Sequence, residues 1–340
     1  MTAGDPTVRV GLTGVTAFLP ERTLTSREVE DRIARHSDGY RPLAGIVTRM
    51  TGIRSRHLAA DDQQASDLAA AAARSLLERR GLTPGDVDLL IFGSASQDLV
   101  EPATAHIVSA KLGTTCPVFD VTNACNSFLN ALQVAEALIR TGQHARALVC
   151  TGEIPSRAIR WKVRDFKQFV ESFPGYTLSD GGAAALLEPV PRGGIFHRAF
   201  EADSTAWNVG TLPGGGTMHP RDPEYTYFHA DGRRLKDAFL ALGSGLFDKA
   251  LADTGLSWDD FAVICVHQVA MPYLELLREQ TGIPADRLVV TLPEHGNLAS
   301  VTLPLQLATA LEEGRCGPGD RVALLGLAGG VSLGVIFLEL

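Results

Sequence analysis

The chain has 340 residues, 45% of them hydrophobic and 21% charged, enough apolar material for one large or two medium cores. Its formal net charge of -8 removes the basic footprint that nucleic-acid binding needs, and no run approaches the roughly 18 uninterrupted apolar residues of a membrane span. The five cysteines are odd in number, widely spaced and free of any CxxC pair, which argues against a disulfide framework or a zinc site and for reduced thiols in a cytoplasmic protein.

Taken in chain order, the N-terminus MTAGDPTVRV lacks the cationic start and long apolar stretch of a secretory leader. Gly81-Leu82-Thr83 then precedes Asp86 and an apolar strand, VDLLIFG. A second strand, in PVFDV, ends in a turn that opens an Ala- and Leu-rich helix, FLNALQVAEALIR, and a third strand reads ALVCTG. The same succession returns 174 positions later. Gly255-Leu256-Ser257 precedes Asp260 and FAVICVH, a turn at Asn297 opens the helix TLPLQLATALEEG, and RVALLG follows. Asp86 and Asp260, Asn123 and Asn297, and Gly152 and Gly326 all match at that offset. Each half closes on a strand after a Gly-Gly, at 181 and at 329, where the offset falls to 148. The first half therefore holds about 26 extra residues, within EIPSRAIRWKVRDFKQFVESFPGYTLSD, a segment suited to a substrate entrance, a subunit contact or a surface excursion. Apolar strands alternating with amphipathic helices predict mostly parallel sheets covered by helices, in two similar α/β halves, residues 1–187 and 188–340.

Ligands of open α/β sheets bind beyond the carboxyl ends of the strands, and three polar residues fall there. Cys125 lies at a strand-to-helix turn, with Asp120, Thr122 and Asn123 as capping residues. A helix start stabilises a thiolate, and its free N–H groups hold an oxyanion. A lone cysteine is ordinarily a buried filler, and Cys116, Cys150, Cys265 and Cys316 fit that description. His267 ends a buried strand, where Gln268 is placed to orient it, although a histidine there also serves as a plain polar terminus. Asn297 sits in PEHGNLAS, where turn chemistry alone would explain it, and His295 is a competing candidate. The stretch GLAGGVSLG offers a closely approachable backbone.

Six segments in order, IVTRMTGIRSRHLA, EPATAHIVSAKLG, DVTNACNSF, LSDGGAAALLEP, VHQVAMPYL and HGNLASVTLPLQL, resemble the β-ketoacyl-acyl-carrier-protein synthase III branch of the thiolase-like condensing enzymes. The resemblance implies a thiolase-like fold, two pseudo-symmetric halves in a layered αβαβα core. It implies that Cys125 is acylated, that His267 and Asn297 donate hydrogen bonds to a thioester carbonyl, and that the N–H groups of Cys125 and Gly329 form an oxyanion hole. It further implies a homodimer that uses acyl-coenzyme A or acyl-carrier-protein thioesters, with no tightly bound cofactor, no metal, and Arg49 as partner of the nucleotide. Three departures stand out: Ala270 replaces an asparagine, Gly45 an aromatic that stacks on adenine, and Pro272 a basic residue of the carrier-protein face. Pro272 and the net charge of -8 weaken attraction to an acidic carrier protein and suggest a specialised enzyme. The expected reaction joins the acyl group to a malonyl-type thioester. Rival readings are transfer to an alcohol or amine, Claisen joining of two acyl chains, and a non-catalytic partner subunit.

Overall fold

The computed structural model describes residues 8–340; the stretch MTAGDPT, part of the segment read above for leader character, lies outside them. The first half contains β1 (Arg9–Phe18), β2 (Thr23–Thr25), α1 (Ser26–His36), α2 (Ile46–Thr51), β3 (Ser55–His57), α3 (Ala65–Arg80), β4 (Leu89–Gly93), α4 (Thr104–Leu112), β5 (Val118–Val121), α5 (Ser127–Arg140), β6 (Ala147–Glu153), α6 (Phe166–Ser172) and β7 (Gly181–Val190). The second contains β8 (Gly194–Ala202), the paired β9 (Gly210–Thr211) and β10 (His229–Ala230), α7 (Gly232–Leu242), α8 (Gly245–Thr254), β11 (Val263–Val266), α9 (Met271–Thr281), α10 (Leu292–His295), α11 (Thr302–Glu312), β12 (Arg321–Ala328) and β13 (Ser332–Glu339).

The repeated Gly-Leu-Thr/Ser…Asp motif has a local cause. Gly81 and Gly255 stop α3 and α8 in the left-handed conformation, at φ 64° and 68°, which costs glycine no Cβ clash. Thr83 and Ser257 then start a single tight turn, their N–H groups held by Asp86 and Asp260 at 2.7 and 2.8 Å. That turn aims the chain into β4 or β11.

Two sheets result, ordered β1-β7-β6-β4-β5 and β11-β12-β13-β8. Every strand of each sheet runs one way except β7 and β13. Strand alternation then sets the layers. Leu89 and Ile91 of β4, and Val263 and Cys265 of β11, face a shared central core with Phe128, Leu132, Leu303 and Leu307 of α5 and α11. The alternate residues Leu90 and Phe92 face α3 and α4, while Ile264 and Val266 face α8 and α9. Helix, sheet, helix pair, sheet and helix stack in the αβαβα order of a thiolase fold.

Two details correct the reading by offset. Register pairs Gly152 with Gly182 and Gly326 with Gly334, so Gly182 corresponds to Gly334 rather than to the Gly-Gly at 329. That offset is 334 − 182 = 152, and the first half holds 174 − 152 = 22 extra residues, not about 26. Nor is that segment a loose excursion. Ile159, Val163, Phe169, Tyr176 and Leu178 bury themselves against Val29, Ile33 and Val47 in a satellite core. Among the described residues no helix is long and apolar enough to cross a membrane.

Candidate active site

The turn between β5 and α5 carries Cys125. Ser127, the first helical residue, receives the Asn123 N–H at 2.8 Å and returns a bond to the Ala124 carbonyl at 2.6 Å, drawing the chain into a tight loop. Asn126, fully buried, donates to the Ser332 carbonyl and hydroxyl at 3.2 and 3.0 Å, clamping the loop onto the second half. It fits because Gly326 faces it: a Cβ there would stand 2.0 Å from Asn126 Oδ1. Gly326→Ala is therefore expected to lower stability by about 1–3 kcal/mol through overpacking and to displace the Cys125 turn. Thermal denaturation together with the rate of Cys125 alkylation by iodoacetamide checks both effects.

Two expectations about this turn are corrected. Asp120 does not cap α5; its carboxylate accepts the Thr104 and Ala105 N–H groups, each at 2.8 Å, and so caps α4 in the neighbouring layer. Cys125 precedes the helix N-cap, Asn126, and the helix start does not lower the pKa of its thiol. Burial, reinforced by the negative charge of Glu153, pushes the thiol up to about 12, against the lowering effect of the N–H groups of Gly329 and Cys125 itself. The residue as a whole keeps some surface. The helix start is real, but the desolvation of the sulfur outweighs it.

Glu153, at the carboxyl end of β6 and with no exposure, was missed from the sequence, as were its partners. It accepts the N–H groups of Ala95 and Ser96 at 2.8 and 3.0 Å and the Ser96 hydroxyl at 2.7 Å. Ser300 also donates to it at 2.5 Å and meets Thr151 at 2.6 Å. This network joins the sheet of the first half to the turn of Asn297. An acidic residue ending an apolar strand was the available signal.

From the second half, His267 follows β11, with its N–H on the Leu325 carbonyl at 2.9 Å. Both ring nitrogens are buried without a protein partner, so they are free to address a ligand. Gln268 does not orient the ring; it donates to Val289 and accepts from Thr291 and Leu292, bracing the next loop. Burial alone pushes His267 down to about 4, so it is neutral at physiological pH. Unfolded, an imidazole titrates near 6.5. Between those values the unfolded chain binds the extra proton, so stability falls as pH drops from about 6.5 to about 4. His267→Gln should lack this component, and its Tm should depend less on pH across that window when both proteins are melted side by side.

Asn297 is held from the extra segment of the first half. Its N–H donates to the Thr177 carbonyl at 2.8 Å, its carbonyl accepts from Ser179 at 2.9 Å, and its Nδ2 reaches the Thr177 hydroxyl at 3.4 Å. Its Oδ1 accepts from the Ala299 N–H at 3.1 Å, which fixes the orientation of the carboxamide. Thr177 was not anticipated, because the contact spans 120 residues.

Backbone strain marks the same three turns. Among the described residues the only non-glycine positions with positive φ are Ala124 (45°), Ala299 (49°) and Val331 (53°). Each stands within two residues of Cys125, Asn297 or Gly329. Such conformations cost on the order of 1–3 kcal/mol each and persist where packing enforces them. Arg49 lies apart from these turns, exposed in the last turn of α2, its guanidinium near the Ala44 carbonyl at 3.5 Å. No group of three or more His, Cys, Asp or Glu among the described residues is arranged to hold a metal.

The profile of 3-oxoacyl-[acyl-carrier-protein (ACP)] synthase III matches residues 119–204, and that of its C-terminal part matches residues 251–340. Beta-ketoacyl-[acyl-carrier-protein] synthase III of Desulfitobacterium hafniense is 32% identical over 340 residues, covering 98% of each chain. That of Neisseria meningitidis serogroup C is 30% identical over 330 residues, 96% of this chain and 98% of the relative. Among solved structures, Xanthomonas campestris OleA superposes with a TM-score of 0.88 at 27% identity, over 98% of both chains. OleA has been crystallised with cerulenin, with lauric acid and lauroyl-CoA, and with substitutions at a cysteine, a histidine and a glutamate. Its substituted cysteine and histidine are 142 positions apart, as are Cys125 and His267. Its glutamate precedes the cysteine by 26 positions; here Leu99 holds that spacing, and Glu101 precedes Cys125 by 24.

Proposed function

The chain belongs to the 3-oxoacyl-[acyl-carrier-protein] synthase III family, a thiolase-fold condensing enzyme, and from that premise we propose that Cys125 carries the acyl group and that His267 and Asn297 activate the acceptor. What supports this reading most is that the N–H groups of Cys125 and of Gly329, from the other half, both favour negative charge on the thiol, against its burial. Thioester acyl transfer passes through an oxyanion, and two fixed backbone donors stabilise it without reorganisation. In the second step a malonyl-type thioester loses carbon dioxide. The enolate oxygen then takes hydrogen bonds from the neutral His267 imidazole and the Asn297 amide, and the enolate carbon attacks acyl-Cys125. Both donors stabilise developing negative charge and need not ionise. The two halves, residues 1–187 and 188–340, divide the work into nucleophile and activation. Arg49 contacts the nucleotide of coenzyme A, and the enzyme works as a cytoplasmic homodimer on coenzyme A or carrier-protein thioesters, with no tightly bound cofactor.

A second reading concerns the acceptor. Likeness to OleA, which binds lauroyl-CoA, supports a second acyl-coenzyme A in place of a malonyl thioester. That acceptor keeps its α-proton, which a base must remove, and Glu101 is the acidic residue near the place of the OleA glutamate. Supplying lauroyl-CoA with and without malonyl-CoA, and trapping carbon dioxide, separates the two. Product with carbon dioxide release supports the malonyl reading; product from lauroyl-CoA alone supports the other.

A further inference from the structure

We infer that His57 and His295 form a relay of fixed tautomers that positions the Asn297 turn, an inference that rests on the proposed role of Asn297. The geometry is specific. His57 Nδ1 lies 2.8 Å from the Pro20 carbonyl, and His57 Nε2 lies 3.0 Å from His295 Nδ1. A carbonyl only accepts, so His57 Nδ1 carries the proton. A neutral imidazole has one N–H, so His57 Nε2 is an acceptor, and His295 Nδ1 must donate to it. Both rings are thereby set in the Nδ1–H form, and His295 Nε2 becomes an acceptor. Burial lowers the pKa of both imidazoles, with His57 lowering that of His295 further, which favours their neutral forms, and each ring lies nearly parallel to the other, 5.2 Å between centroids and 19° between planes.

The relay leads to Asn297 by two routes. Through its side chain, His57 holds His295, which ends α10 two residues before Asn297. Through its backbone, His57 donates to Ser179 Oγ at 2.8 Å and accepts the Asp180 N–H at 3.0 Å, and Ser179 in turn donates to the Asn297 carbonyl. The strand β3 and the residue before it also lash α10 directly. Arg54 donates its N–H to the Pro293 carbonyl at 2.7 Å and pairs with Glu294, and Ser55 Oγ donates to the Glu294 carbonyl at 2.6 Å. Gly296 leaves no slack: at φ 69°, a Cβ there would stand 3.0 Å from Ser179 Cβ and 3.1 Å from Arg56 Cβ. His57 is therefore a positioning residue: its ring holds the loop before Asn297, and its backbone holds the segment that brackets it.

Two measurements test this. Long-range proton–nitrogen correlation on histidine-labelled protein, assigned with His57→Gln and His295→Gln, should find both rings in the Nδ1–H form. An Nε2–H form at either ring overturns the relay. In kinetics, His57→Leu should load Cys125 from acyl-coenzyme A as the wild type does, yet lose roughly 10- to 100-fold in malonyl decarboxylation, the scale of a misplaced group. His57→Gln offers an amide N–H to Pro20 and a carbonyl to His295, and should recover most of that loss. Unchanged decarboxylation in His57→Leu, or equal loss of loading and decarboxylation, contradicts a positioning role. If the wild type itself never forms acyl-Cys125, the functional reading fails, and the tautomers still decide the relay.

Discussion

Cys125→Ala is expected to abolish covalent loading by any acyl-coenzyme A donor while leaving the fold intact. Its loop is held by Ser127 and Asn126 rather than by the thiol, so removing one sulfur atom leaves the anchors of the turn in place. The chemical loss is of another order. Removal of the nucleophile in a hydrolase that works through an acyl-enzyme lowers turnover by about a million-fold, and none of the other four cysteines can substitute. Cys150, Cys265 and Cys316 are buried within the layers, and Cys116 packs against the outer core of α3 and α4. Cys125→Ser should be nearly as inactive, since a hydroxyl in the same enclosed place is harder still to ionise than the thiol. Intact-mass measurement after mixing with donor reads the result directly.

The second large effect belongs to His267 and Asn297. Replacing either with Ala should lower malonyl decarboxylation and condensation by about 100- to 1000-fold, the loss that follows removal of one preorganised oxyanion donor, with acylation of Cys125 largely kept. The split follows from the geometry: the donors at the thiol are the backbone N–H groups of Cys125 and Gly329, whereas His267 and Asn297 come from different turns of the second half. Asn297→Asp is the sharper variant, because a carboxylate would face the enolate with like charge and without the NH2 donor. The double variant should fall short of the product of the single losses, since both groups hold one oxygen. Steady-state decarboxylation beside single-turnover loading distinguishes the steps.

Much of this arrangement was readable from residue patterns because its causes are local. The Gly-Leu-Thr/Ser…Asp motif is a helix stop followed by a capped turn, and both copies perform that role. Strand alternation in VDLLIFG and FAVICVH divides their side chains between central and outer cores as a covered sheet requires. What escaped depends on contacts through space. Asp120 lies close to Cys125 in sequence, but its carboxylate reaches α4 in the adjoining layer. The thiol's protonation is set by burial and by Glu153, 28 residues on, rather than by the nearby helix start. Thr177 finds Asn297 across 120 positions. The strain at Ala124, Ala299 and Val331 has no signature in residue type, because alanine and valine do not prefer positive φ; surrounding packing imposes it.

The most direct test is a time course of intact mass and released carbon dioxide for the wild-type protein, given acyl-coenzyme A first and a malonyl thioester second. The account predicts one acyl adduct mapped to Cys125, discharged by the malonyl thioester with one carbon dioxide released for each acyl group lost. An adduct on another residue, or an acyl-Cys125 that only alcohols or amines discharge, would contradict it.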